Sequence, residues 1–155
     1  MKKDEGVKYV ANNKKARLEY FIEDTFEAGM ALFGTEVKSL REGRANLKDS
    51  YAKVTDDGVV LVGAHISPYG AGNTANHDPE RERRLLLHKQ EIKRLYGKTR
   101  ERGYALVALA IYFKNGKAKI EIGLGKGKAK YDKREAIKKK EQAREMERVV
   151  KGRNR

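Results

Sequence analysis

Tyr131 stands among Lys128, Lys130, Lys133 and Arg134, an aromatic ring surrounded by cations. That arrangement can stack on a base while the charges hold phosphates. A second basic cluster, Asn13, Lys14, Lys15 and Arg17, lies near the N-terminus, and Lys38, Arg41 and Arg44 form a third. Taken singly, each cluster has the ordinary meaning of a solvated face. Taken together, the second and third clusters are two basic surfaces offered by one body and make a track for a phosphate backbone. Glu27 is an acid in a basic protein. It is either a plain surface residue beside Gly29 or an acceptor for a guanine or ribose edge of folded RNA.

Bond-making chemistry is thinly supplied. His65, His77 and His88 fall in separate segments with no HExxH or i,i+4 ligand spacing, which makes them structural or surface residues. No GxxxxGK[ST] loop is present, and the glycines of GLGKGK lead into charge rather than into an apolar helix, so they read as a flexible linker. The chain has no cysteine, hence neither a disulfide framework nor a thiolate metal site. No cofactor and no metal is implied, and the reading is of a binding protein rather than an enzyme.

Charge is distributed unevenly. Residues 126–155 hold thirteen Lys or Arg against five Asp or Glu, a surplus of eight out of a formal net charge of +14 for all 155 residues. No Gly or Pro interrupts residues 128–151, and Asp132 with Glu135 has capping-box spacing for a helix from Lys133. Ile137, Met146, Val149 and Val150 are too scattered to make a core-docking stripe. This segment is expected to be disordered alone and to become helical when a polyanion neutralises it. A solvated tail that only aids solubility is the bland alternative, and it leaves Tyr131 unexplained. Residues 133–151 contain no Trp, Phe or Leu, which argues against a helix lying on an acidic membrane. No apolar run approaches spanning length and the N-terminal decapeptide lacks an apolar core, so a soluble cytoplasmic protein is expected.

The elements that must position these groups follow from periodicity and turn signals. Residues 1–13 are polar and expected to be loosely held. Leu18, Tyr20 and Ile22 alternate with Glu19 and Glu23, predicting a half-buried strand that Phe26 extends. Gly29 bends the chain into a second strand at 30–33, and Thr35 caps a short helix that stops at Gly43, with Val37 and Leu40 inward and Lys38 and Arg41 outward. Strands at 50–55 and 59–66 join through Asp57-Gly58. Residues 68–84 lose periodicity, which at that length marks a functional or disordered loop. A helix follows from about Lys89 with Ile92, Leu95 and Tyr96 buried, ending at Gly103. The clearest element is the last hairpin: 104–113 is apolar on both faces, Asn115-Gly116 supplies a type I′ turn, and Ala118, Ile120, Ile122 and Leu124 alternate with polar residues or glycine. The sum is a mainly β chain with short helices, an OB-type antiparallel β-barrel over 1–125 plus a basic tail over 126–155. A flat α+β arrangement leaves the same trace.

The segment NKKARLEYFIEDTFEAGMALFGTEVKSLREGRANLKDSY, then RERRLLLHKQEI with RLYG, then GYALVALAIYFKNGKAKIEIGLGKGK and YDKRE, resembles the SmpB family of SsrA-binding proteins over about residues 12–134. The resemblance implies a barrel that binds the tRNA-like domain of transfer-messenger RNA and brings it to ribosomes stalled on broken messages. It implies a tail that enters the decoding centre and the empty message channel of the small subunit. Matched by motif, Asn13, Lys14, Arg17, Tyr20, Glu27, Glu36, Lys38 and the Leu85, Leu86 and Leu87 region are expected near transfer-messenger RNA, with Lys15 and Arg41 beside them. Lys126, Lys128, Tyr131, Asp132, Lys133 and Arg134 are expected to face the ribosome. Alanyl-tRNA synthetase and elongation factor Tu are implied as partners through the RNA, and the chain as a monomer. The residues alone also allow a generic single-strand binder or ribosomal structural protein.

Overall fold

The computed structural model describes residues 6–70, 76–101, 103–128 and 130–153; within the last helix, side chains are described for 134, 137–148. In chain order the elements are β1 (Val7–Asn12), α1 (Lys14–Glu19), β2 (Tyr20–Met30), α2 (Gly34–Arg41), β3 (Ala45–Asn46), β4 (Tyr51–Thr55), β5 (Gly58–Val62), β6 (His65–Ile66), β7 (Arg83–Leu86), α3 (Lys89–Thr99), β8 (Tyr104–Lys114), β9 (Lys117–Gly127) and α4 (Lys130–Arg153).

Six strands close a ring in the order β8-β4-β5-β7-β2-β9, with β9 returning to β8 and every pairing antiparallel. Closure removes the sheet edges that a flat arrangement would expose. The β8–β9 hairpin is the spine. Its turn residues Asn115 and Gly116 have φ of 51° and 79°, the left-handed pair that a type I′ turn requires. Ile120, Ile122 and Leu124 from β9 meet Phe26, Ala28, Leu61, Leu85 and Leu106 in one buried core. β8 is apolar on both faces because α1 covers its outer side, where Ala16 packs on Val107 and Leu109.

Several sequence expectations are corrected. Residues 7–12 are a strand, β1, paired along 110–114 of β8, and not a loose end. Residues 14–19 are a helix, although Leu18 falls in register with the alternation of Tyr20 and Ile22; the cap at Asn13 and the docking of Ala16 outweigh a period-two pattern only three members long. Gly29 lies inside an unbroken β2 that ends at Met30, and no strand occupies 31–33. A Cβ on Gly29 would sit 3.3 Å from Leu86 Cβ on the neighbouring strand, so this glycine serves close packing rather than a bend. α2 begins at Gly34, ahead of Thr35. The Asp57-Gly58 hairpin is present, with Val54 opposite Val59. Within the long connection, β7 resumes at Arg83, and residues 71–75 lie outside the described residues. Tyr96 is 48% exposed rather than buried, whereas Leu95 is fully buried.

GLGKGK is the largest correction. All of it but Lys128 belongs to β9, paired with β2 from Thr25 opposite Gly123 to Tyr20 opposite Gly127, and both Gly123 and Gly125 are buried. A Cβ on Gly125 would lie 2.4 Å from the Phe21 carbonyl oxygen, and one on Gly123 would lie 2.8 Å from Leu109 Cδ1. The glycines permit the neighbouring backbone and side chains to close over the outer face of the hairpin. The barrel strand thus runs two residues past position 125, and the Lys128 N–H donates to the Glu19 carbonyl at 2.7 Å.

Candidate nucleic-acid interface

Asn13 does not present itself to a ligand. It is 5% exposed and sits where β8 changes partner, between the part paired with β1 and the part paired with β4. Its N–H donates to the Leu109 carbonyl (2.8 Å), and its side-chain amide donates to the carbonyls of Ala108 (2.9 Å) and Leu47 (3.0 Å). Its Oδ1 accepts from the Ala16 N–H at 3.1 Å, capping α1. With all these groups satisfied, Asn13 bridges a gap in the β8 ladder and points the α1 cations outward.

Those cations are Lys14, Lys15 and Arg17, all exposed. Lys15 pairs with Asp49 (2.9 Å) and Arg17 with Glu121 (3.1 Å); the Asp49 hydrogen bond raises the Lys15 pKa, and Lys15 in turn lowers that of Asp49. Such exposed pairs hold little energy and open readily for a stronger anion. Tyr20 is half-buried and lines, with Lys15, Tyr51 and Tyr104, a groove of about 480 Å³ between α1, β4 and β8.

Glu27 lies on the outside of β2. Its carboxylate accepts from the Tyr112 hydroxyl (2.5 Å) and faces Lys114 Nζ at 3.5 Å. The Tyr112 hydrogen bond holds the Glu27 carboxyl below its ordinary pKa. Burial, reinforced by that same carboxylate, pushes the Tyr112 hydroxyl up, so Tyr112 stays a donor. Tyr9 is 52% exposed and tilts against Tyr112 with ring centroids 5.4 Å apart.

Glu36, expected near the RNA from the family resemblance, is a buried fastener at 0% exposure. Its Oε1 accepts from the Phe33 N–H (2.8 Å), fixing the start of α2, and from Arg81 Nη2 (2.5 Å); its Oε2 accepts from Arg83 Nε (2.5 Å). Burial alone would push this carboxyl up, but the Arg81, Phe33 and Arg83 hydrogen bonds together hold it below its ordinary range. Arg83, also 0% exposed, spreads its remaining donors over the carbonyls of Ala64, Arg81, Asp78 and Pro79. A bidentate-capable fork and a carboxylate suit each other in this dry setting. Sequence reasoning overlooked both arginines; RERR beside an acid 45–47 residues away carries no local signal. Near them, His77 is buried in a structural role: Nε2 donates to the Ile66 carbonyl at 2.8 Å, and Nδ1 lies 2.9 Å from the Thr35 hydroxyl.

The fastener leaves the outer side of α2 exposed. Lys38 lies 5.5 Å from the Tyr69 ring centroid and Arg41 4.8 Å from that of Phe113. Leu86, 56% exposed, projects from β7 beside Gly29. Lys126, near the end of β9, and Lys128, just past it, have Nζ 4.8 Å from the Tyr104 ring and 4.9 Å from the Phe21 ring respectively. Phe21 and Tyr104 were not singled out by sequence reasoning, although both stand in the quoted strands. α4 begins at Lys130, three residues before the capping-box start. The side chains of Tyr131, Asp132 and Lys133 lie outside the described residues; Arg134 is exposed, as are all of 141–148. Among the described residues, no group of three or more His, Asp or Glu is placed to hold a metal, and no helix is long and apolar enough to cross a membrane.

A closed antiparallel barrel with aromatic rings overlaid by cations, and a basic helix leaving its last strand, defines a small barrel protein with polyanion-facing surfaces. Residues 10–152 match the family model described as SmpB protein, and the chain belongs to the SmpB family. It is 59% identical over 149 residues to the SsrA-binding protein of Geobacter metallireducens (96% of this chain, 97% of the relative). It is 60% identical over 153 residues to that of Geobacillus thermodenitrificans (99% and 98%). A chain from a solved structure described as "tmRNA-SmpB: a journey to the center of the bacterial ribosome" superposes with a TM-score of 0.67 at 46% identity, covering 85% of this chain and 94% of that one.

Proposed function

We propose that this chain binds the tRNA-like domain of transfer-messenger RNA (SsrA RNA) and delivers it to stalled ribosomes for trans-translation. The observation that carries the reading is 59–60% identity over nearly the full length to SsrA-binding proteins, on a barrel whose Lys14, Lys15, Arg17, Lys38 and Arg41 are exposed. Lys14, Lys15, Arg17, Tyr20, Glu27, Lys38, Arg41 and Leu86 contact the RNA, while Asn13 and Glu36 position those contacts from behind. Residues 1–125 act as the binding body. The tail, Lys126 and Lys128 with Tyr131, Asp132, Lys133 and Arg134, works in the decoding centre and the empty message channel. The tail's helix gains its full order there, because the described side chains of α4 are almost all exposed and give it little burial of its own. The protein acts as a monomer in the cytoplasm by binding rather than by turnover, and meets alanyl-tRNA synthetase and elongation factor Tu through the RNA.

Truncation after Lys128, which keeps all of β9 and its last hydrogen bond to α1, tests the division. Affinity for the tRNA-like domain should persist and fall steeply with salt, while peptide tagging on stalled ribosomes should cease. Complete loss of RNA affinity in the truncated form would refute the division. A generic single-strand binder would be displaced equally by poly-U and by the tRNA-like RNA; preferential displacement by the structured RNA is expected.

A further inference from the structure

Phe33 is a large apolar side chain held out in the open, 57% exposed. Its backbone is fixed on both sides: the N–H donates to Glu36 Oε1 (2.8 Å), and the carbonyl accepts from the N–H groups of Glu36 and Val37 (3.1 Å each). The ring is braced as well, because the Arg81 guanidinium lies 4.2 Å from its centroid. Every nitrogen of that guanidinium is engaged by Glu36, the Glu82 carbonyl or the Ala31 carbonyl. Arg81 therefore backs the ring and keeps no fork for an outside anion. Phe33 also lines a groove of about 440 Å³ with Gly34, Thr35, Lys38, Asn76 and His77. Most of the polar side chains there are committed inside the protein. Asn76 bonds both backbone groups of Tyr69 (2.9 and 2.8 Å), Thr35 faces His77 Nδ1, and His77 Nε2 donates to the Ile66 carbonyl. Lys38 is exposed and pairs with no carboxylate among the described residues. None of the lining residues is acidic.

We propose that Phe33 is a stacking platform for one unpaired base of transfer-messenger RNA, whose nucleotide sits in this groove with its phosphate against Lys38. An aromatic side chain takes a base that is splayed out of a helix, and it does so whatever the base, because every base has a π face. With the amide of Asn76 and the imidazole of His77 already bonded, the groove has little left to read a base edge. The site thus selects a nucleotide for being unpaired and not for its identity. The volume falls in the range of a small-ligand pocket. The braced ring is in place before the RNA arrives, so stacking orders little on the protein side. Lys38 selects the source, since it is one of the α2 cations assigned above to transfer-messenger RNA and is itself part of the groove wall. The inference rests on the proposed function and adds to it a residue outside the contacts named there.

The test uses the full chain and intact transfer-messenger RNA. Phe33→Leu keeps the apolar bulk and removes the π face. It should bind about tenfold more weakly, with an unchanged thermal melt and an unchanged salt slope, since no cation is lost. Phe33→Tyr should bind as the wild type does. Lys38→Gln should instead make the salt slope shallower by about one. Ultraviolet cross-linking of the wild-type complex should join Phe33 to a single unpaired nucleotide. Wild-type affinity in Phe33→Leu, an equal loss in Phe33→Tyr, or cross-linking that misses Phe33 or falls on a base-paired nucleotide would overturn the platform and leave the proposed function standing. A lowered melt in Phe33→Leu that accounts for the lost affinity would make Phe33 a brace for Arg81 alone and would overturn it too. So would a loss confined to ribosome association. A wild-type chain that failed to bind transfer-messenger RNA would overturn both the platform and the reading beneath it.

Discussion

The network at Glu36 and the helix at the C-terminus use the same residue types to opposite ends. Around Glu36, two arginines and a carboxylate are withdrawn from water and nearly every donor finds a carbonyl or carboxylate. Along α4, Arg144, Glu145, Glu147 and Arg148 stand exposed and carry no ion pair among the described contacts. A charge surrounded by partners at fixed distance is part of the scaffold; a charge facing water is available to something else. Composition treats the two alike.

Substitutions should separate the regions sharply. Glu36→Ala strips the buried Arg83 of its counter-charge and should cost about 3–5 kcal/mol of unfolding free energy in urea titration, whereas Glu145→Ala on α4 should stay within about 0.5 kcal/mol. A Glu36→Ala chain with wild-type stability would erase the distinction. Gly125→Ala forces a methyl against the Phe21 carbonyl and should cost about 3 kcal/mol, read as a lowered denaturation midpoint; a linker glycine would tolerate it. Asn13→Ala removes the α1 cap and the side-chain donor to the Ala108 carbonyl, while the Leu47 carbonyl keeps its Ser50 donors, a loss of about 2 kcal/mol. RNA affinity of that variant should fall only as far as α1 frays, and Asn13→Asp should not restore it, because the carboxylate keeps the cap but sets an acceptor oxygen against the Ala108 and Leu47 carbonyls.

The pH dependence sharpens the same contrast. Glu36 has a folded pKa held below its ordinary 4.5, so its stabilisation is fully present above that value and is lost as pH falls through the lower folded value. Glu27 is shifted the same way but is part-exposed, and screening reduces its contribution. Tyr112→Phe should therefore move the Glu27 titration upward in an NMR pH series and change stability by less than about 1 kcal/mol. Glu36→Gln should flatten the acid limb of the stability curve far more than Tyr112→Phe does.

The last hairpin could be read directly because its signals are local: two alternating apolar runs and an Asn-Gly pair whose left-handed φ the structure reproduces. The Asp57-Gly58 hairpin and the core positions Leu40, Leu95 and Ile122 were legible for the same reason. At the candidate interface, the exposed cations of α1 and α2 were found from charge clustering alone. Asn13 was picked out in a basic cluster and Glu36 through the family motif, and neither position carried a signal of its burial, since a polar residue in a local stretch looks the same whether it faces water or a buried partner. The α1 segment was misread because three alternating apolar residues spanned a helix end and a strand start.

What the residues by themselves determined is the charge asymmetry, the antiparallel hairpins, the family signature and the apolar faces, all of which depend on neighbours within a few positions. Only the tertiary structure decided which polar groups are spoken for. Glu36 meets arginines 45 and 47 residues away, Asn13 bonds a carbonyl 95 residues away, and Gly125 is needed because Phe21 passes over it. Those distances along the chain collapse only when the barrel closes, and closure is a property of the whole sheet rather than of any strand in it.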